Sequence, residues 1–143
     1  MGTGPPHTDQ EQTIKYVILI HSNPQPWGHP TSDFVAEHQA LPQEQRDALS
    51  ADFEALLNEL SDNGELAGGE ALAAPSTARL YRWDAGRPLA TDGPYSEAKE
   101  HLAGFFLIDV ETQERAEAVA ARMSGPGETV ELRPSMSSGG EDQ

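Results

Sequence analysis

The chain predicts an α+β fold, a ferredoxin-like β-α-β-β-α-β protomer, and three observations carry that expectation. Apolar, β-branched runs near residues 14–20 and 104–110 read as strands. Each is followed by a stretch whose apolar residues recur at helical spacing. A further strand-like region lies between these two units, which completes the order.

Each element has its own signal. Residues 14–20 (IKYVILI) are rich in β-branched and aromatic side chains and form the first strand. The stretch SNPQPWGHP that follows is interrupted by prolines and cannot be regular structure. Ser32 is suited to cap a short helix running through about residue 40. A longer helix opens at Pro42, a residue favoured at the first helical position. Leu49, Phe53, Leu56 and Leu60 then recur at +4, +3 and +4, and Gly64 stands where a left-handed cap is wanted.

Next come GELAGGEAL, which reads as a stretch with flexible glycines, and TARLYRW, which alternates like a strand. Asp84-Ala85-Gly86 suggests a tight connection into a short segment near Pro88–Thr91. GFFLIDV (104–110) is the later strand. Thr112 is placed to cap a second helix with Ala116, Val119, Ala120 and Met123 on one face. Gly125-Pro126-Gly127 ends that helix, and TVELR supplies the last strand.

Strand alternation also speaks to assembly. Tyr16, Ile18 and Ile20 face one way in the first strand and Val17 and Leu19 the other. Phe105 and Leu107 likewise oppose Phe106, Ile108 and Val110. Both strands are apolar on both faces, yet two helices cover only one face of a four-stranded sheet. The other face is expected to meet a second copy across a two-fold axis, making a homodimer.

Composition narrows the function. A length of 143 residues suits one domain, and 36% hydrophobic residues suffice for a modest core. Residues 1–12 and 135–143 are poor in large aliphatic side chains and are expected to be disordered tails around a domain at 13–134. The net charge of −15, from 24 acids against 9 bases, argues against nucleic acid and anionic membrane surfaces as partners. The absence of cysteine removes disulfides, thiolate catalysis and zinc-thiolate sites. No apolar leader opens the chain, Pro6 occupies the Ser/Thr position of a myristoylation signal, and no apolar run is long enough to span a bilayer. A cytoplasmic protein is expected.

The run TDGPYSEAKEHLAGFF (91–106) resembles the Asp-Gly-Pro-Phe signature of the YCII-related (DGPF) family, with Tyr95 in place of Phe. Lys15-Tyr16, Asn23-Pro24 with Trp27, Gly64-Glu65-Leu66, Gly68-Gly69-Glu70-Ala71-Leu72 and Val130-Glu131-Leu132-Arg133-Pro134 extend the resemblance over roughly residues 14–134. The resemblance implies a dimeric α+β barrel, in which the sheets of two protomers pack together. Some members of the family accompany or are fused to alternative sigma factors, so the resemblance implies, as one expectation, a sigma-factor-related protein partner and a non-catalytic regulatory module. The smaller YciI-type relatives look enzyme-like, with a His–Asp pair near the first long helix. Here that His position falls on Phe53, although Asp62 matches the acidic partner. A phenyl ring transfers no proton, so the pair is not carried over.

Other residues must then supply any chemistry. Asp92 precedes Gly93-Pro94, where an Asp carboxylate commonly bonds backbone N–H groups. It reads either as a turn-former or as a general base at a pocket mouth. Glu70 lies in a second glycine-framed segment, and if the two segments adjoin, Asp92 and Glu70 are paired carboxylates with separated pKa values. Lys99, one of two lysines, reads either as a surface ion-pair partner or as an anchor for an anionic group. His101 is a candidate for proton transfer beside it. Tyr16, Trp27 and Tyr95 are candidates to line a small-molecule pocket, the alternative being ordinary packing.

His21, His29 and His38 are spaced by eight and nine residues, which matches no helical ligand pair, so no metal is expected. Gly68-Gly69 lacks the remaining glycines of a dinucleotide site, and no cofactor is expected. Residues 33–65 carry nine acids and one base, either a solvated helix face or a docking surface for a basic partner. The two functional expectations are a small-molecule-binding protein or cofactor-independent acid/base enzyme with a cleft near the DGPY and GGE segments, and the regulatory module.

Overall fold

The computed structural model describes residues 12–96 and 98–136. The expected tails at 1–12 and 135–143 lie almost wholly outside the described residues, as does Glu97 of the DGPY run. The first strand, β1 (Ile14–Ser22), pairs antiparallel with both β5 (His101–Val110) and β6 (Thr129–Pro134). A fourth strand, β2 (Leu66–Ala71), pairs antiparallel with the outer side of β5, giving the order β2-β5-β1-β6. Helix α2 (Gln43–Asp62) connects β1 to β2, and α3 (Gln113–Met123) connects β5 to β6. The ferredoxin-like order is therefore complete within these six elements.

The second strand of that order is not the one the alternation suggests. It is Leu66–Ala71, inside the stretch read above as flexible. Its glycines serve close strand approach rather than mobility. A Cβ on Gly69 would stand 2.6 Å from the carbonyl oxygen of Phe105, and one on Gly104 would stand 2.8 Å from that of Glu70. TARLYRW contributes instead to β3 (Arg79–Asp84), which pairs only with β4 (Arg87–Asp92) in a separate two-stranded sheet. This hairpin is an insertion between β2 and β5. Ala85 and Gly86, at φ 55° and 82°, make its turn, a pairing suited to the right-handed twist of a hairpin.

The helices follow their sequence signals. Pro42 precedes α2 as its N-cap. At the other end Gly64 has φ 74°, and the N–H of Glu65 donates to the Leu60 carbonyl at 2.8 Å, closing the left-handed cap. The Thr112 hydroxyl accepts from the Arg115 N–H at 3.0 Å and caps α3. The short helix expected from Ser32 to residue 40 is split. A 3-10 turn, Thr31–Phe34, and α1 (Ala36–Gln39) are separated by Val35 in extended geometry, and neither has a side-chain cap.

Leu56 and Leu60 of α2 and Ala116, Val119 and Met123 of α3 bury against Tyr16, Ile18, Ile108 and Val110 of the central strands. Full burial of each large aliphatic side chain contributes roughly 1.5–3 kcal/mol. Both helices thus cover the face that carries the even-numbered residues. Val17, Leu19, Phe105 and Leu107 lie on the opposite face and are not part of this core, and Leu107 is 39% exposed. No helix among the described residues is long and apolar enough to cross a membrane.

Candidate functional site

A cavity of about 610 Å³ opens between α2, the β2 end of the sheet and the loops that follow β1 and α3. Its origin is visible in the helix pattern. Leu56 and Leu60 are fully buried, whereas Leu49 and Phe53, one to two turns earlier on the same stripe, are only half-buried and line the cavity. The amino-terminal half of α2 therefore leaves a gap over the sheet. Leu57, Phe106 and Ile20 extend this apolar wall, and the Phe53 and Phe106 rings stand 6.2 Å apart in a tilted pair.

The other end of the cavity is polar and is built by two loops. Glu128, just after the Gly125-Pro126-Gly127 turn, accepts hydrogen bonds at one carboxylate oxygen, Oε2, from the Ser22 hydroxyl at 2.7 Å and from the Thr31 hydroxyl. Ser22 and Thr31 are themselves buried. Gly127 packs so tightly on the neighbouring loop that a Cβ there would stand 2.5 Å from both the Val35 side chain and Glu37. His38, one residue beyond Glu37, also lines the cavity. It is 3% exposed, and its Nδ1, shielded from the cavity, has no hydrogen-bond partner among the described residues. An unpartnered ring nitrogen at such depth costs about 1–3 kcal/mol.

The expected site residues are distributed over several places. Glu70 borders the cavity, but its register opposite Phe105 turns its side chain toward the helix-free face. Asp92 ends β4, is largely exposed and pairs with Arg79 at 3.3 Å. The two carboxylates stand in different sheets. Lys99 is exposed in the loop before β5, and His101 opens that strand opposite Ser22. Tyr16 is buried in the core, and Tyr95 is 76% exposed with the Arg82 guanidinium 5.5 Å from its ring centre. Trp27 donates to the Leu72 carbonyl at 2.9 Å, and His29 donates to the same oxygen at 2.8 Å. That shared acceptor ties the Pro-rich loop to the end of β2, and His29 and Pro30 then form part of the cavity wall.

The Gly93 of the DGPY run has a structural reason. Its N–H donates to the Ala78 carbonyl at 2.7 Å, and a Cβ there would stand 2.6 Å from the Ala78 side chain. The turn thereby closes the base of the hairpin. His21 pairs with Glu131 at 2.9 Å, and among the described residues no group of three His, Asp or Glu side chains converges as metal ligands do. Glu128, Ser22 and Thr31 were not among the sequence candidates. None belongs to a motif, and a lone acid after a Gly-Pro-Gly turn carries no periodic signal.

Beyond the cavity, Arg115 joins α3 to α2 and to the start of β2. It donates to Glu59 at 2.7 Å and to Glu65 at 2.8 and 3.1 Å. The Arg115 hydrogen bonds hold both carboxyls below the ordinary glutamate range, and Arg122 adds to the effect on Glu59.

Fold and site together define a class: a ferredoxin-like α+β protein with an inserted hairpin and a half-open cavity under its first long helix. The chain belongs to the YCII-related domain family, whose model matches residues 14–130. It is also similar to uncharacterized protein R00369 of Rhizobium meliloti (strain 1021). That relative is 30% identical over 98 residues, which span 66% of this chain and 79% of the relative.

Proposed function

We propose that this protein binds a small, mainly apolar molecule in the cavity beneath α2, with Glu128 as the group available for proton exchange. The observation that carries the reading is the combination at one cavity of an apolar wall (Leu49, Phe53, Leu57, Phe106) and a carboxylate, Glu128, held in place by two buried hydroxyls. Ligand sites are commonly clefts of about 300–1,000 Å³ lined by apolar side chains with a few placed polar groups. The volume of about 610 Å³ falls inside that range. No cofactor is needed for proton exchange between such side chains and a bound molecule.

The test is a panel of small aromatic and aliphatic alcohols, amines and carboxylic acids, followed by ligand-observed NMR on the wild type and on Ser50→Trp. Ser50 is exposed and lines the cavity, so the indole adds volume at the site without disturbing the core. The expected result is binding to the wild type that weakens at least about tenfold in the variant, a difference near 1.4 kcal/mol. Absence of binding across the panel, or equal binding to both proteins, overturns the reading.

The acting unit in this reading is a homodimer formed through the helix-free sheet face. Val17 and Leu19 on β1 and Phe105 and Leu107 on β5 form a continuous apolar patch on adjacent central strands, which supports self-association across a two-fold axis.

A further inference from the structure

Every residue of β3 and β4 is exposed except Leu80, which is half-buried. A two-stranded hairpin alone in water is marginally stable and gains from packing against a further surface. The two faces of this one differ. Opposed residues of an antiparallel pair share a face, and Leu80 and Arg82 belong to one side. That side meets the following loop, where the Arg82 guanidinium stands over the Tyr95 ring. The other side carries Arg79, Tyr81 and Trp83 from β3, opposed in register by Asp92, Ala90 and Pro88 from β4. All six are exposed.

This bare side is complementary to itself. Each of its three rows sets a large or cationic group on β3 beside a small or anionic one on β4. A two-fold axis between two such faces, parallel to the strands, lays each β3 over the β4 of the second copy. Arg79 then meets Asp92 of the second copy, Tyr81 meets Ala90 and Trp83 meets Pro88, and the three contacts recur in reverse. Opposite charges and large-on-small packing coincide in every row. An axis across the strands instead stacks Tyr81 on Tyr81 and leaves both Asp92 carboxylates without a cation from the other copy. Charge also marks the hairpin as the place of approach. Two chains of net charge −15 repel over most of their surfaces, but in β3 and β4 Arg79, Arg82 and Arg87 offset Asp84 and Asp92. Trp, Tyr and Arg are moreover the side chains that dominate interface energies once packed.

We propose that the inserted hairpin is a self-association arm, whose bare face packs against the same face of a second copy of this chain. The contact is distinct from the helix-free face of the four-stranded sheet and does not depend on it. Six residues a side, against about 20–30 in a standard interface, make it weak and reversible.

The experiment follows the amide and indole N–H NMR signals of the hairpin as protein concentration rises from about 20 µM to about 1 mM, the range that reports weak association. In the wild type, Tyr81, Trp83 and Ala90 shift with concentration. Arg79→Asp sets like charges against each other in both outer rows and weakens the association at least about tenfold, and Asp92→Arg does the same. Both side chains are exposed, so the core is untouched, and unchanged signals from β1 and β5 verify the fold of each variant. A 1:1 mixture of the two variants restores the shifts, because every Asp then meets an Arg of the other chain. Hairpin signals that stay fixed throughout the wild-type series overturn the proposal. Shifts that persist in both single variants, or a mixture that behaves like its separate components, also overturn it. Concentration-dependent shifts confined to Val17, Leu19, Phe105 and Leu107 report the sheet-face dimer alone and overturn the arm.

Discussion

A methyl group added to Gly69 meets the Phe105 carbonyl oxygen at 2.6 Å and the Phe106 ring at 3.0 Å, and neither is the free end of a flexible side chain. Gly69→Ala must push β2 away from β5, and overpacking of this kind costs roughly 1–3 kcal/mol. A denaturation midpoint equal to that of the wild type contradicts this account of β2. Ser22→Ala removes a donor to a charged, half-buried carboxylate. A loss of roughly 1.5–3 kcal/mol is expected, read by the same titration. These two residues also show where sequence reading stopped. The glycines of GELAGGEAL announce backbone freedom, and nothing local reveals that the freedom is used to let two strands touch. Ser22 and Glu128 are 106 positions apart, and only the folded β1–β6 pairing brings them together.

At the scale of elements, the two long helices were legible because periodicity and caps agree. Leu49, Phe53, Leu56 and Leu60 mark one stripe, and Gly64 closes it. Gly64 has open space around it, so Gly64→Ala meets no clash and pays only for its φ of 74°, about 1 kcal/mol. A larger loss implies a contact that the cap geometry does not contain. Alternation identified β3 as a strand and Asp84-Ala85-Gly86 pointed to the tight connection into β4, but neither showed that the pair stands apart from the main sheet, because side-chain period carries no information on which edge a strand joins. The resulting hairpin has few buried groups: Tyr81 and Trp83 are 69% and 74% exposed. Amide exchange should be faster throughout β3 and β4 than in β1 and β5. Gly93→Ala, which clashes with Ala78 at the hairpin base, should accelerate that exchange further while leaving the four-stranded sheet protected. Protection lost equally in both sheets refutes their independence. The candidate site was only partly legible for a related reason. Glu70 borders the cavity with its side chain toward the helix-free face, whereas Asp92 belongs to the inserted hairpin.

For the whole molecule, the Arg115 network sets an acid limit on stability. Glu59 and Glu65 carry pKa values lowered by the Arg115 hydrogen bonds from the ordinary glutamate value of about 4.5, at which they titrate in the unfolded chain. Their contribution is therefore complete above that unfolded value and is lost as pH falls through the lower folded values. Arg115→Ala should flatten the decline of stability below about pH 5, measured by denaturation at a series of pH values. Parallel curves for the two proteins contradict the assignment. In the proposed dimer, Leu107→Glu puts a charge in the apolar patch formed with Val17, Leu19 and Phe105 and should yield a monomer in sedimentation. A wild type that is already monomeric at micromolar concentration refutes the dimer.

The central claim, that the cavity beneath α2 is where this protein meets a small molecule, is tested most directly by mapping a bound probe. The measurement is a methyl and backbone NMR titration of the wild type with 2-phenylethylamine. The account predicts shifts that saturate together at Leu49, Leu57, Met123 and the Thr31–His38 segment, with Val17 and Leu19 unmoved. Shifts centred on the hairpin or on the helix-free face, or no saturable shifts at all, would contradict it.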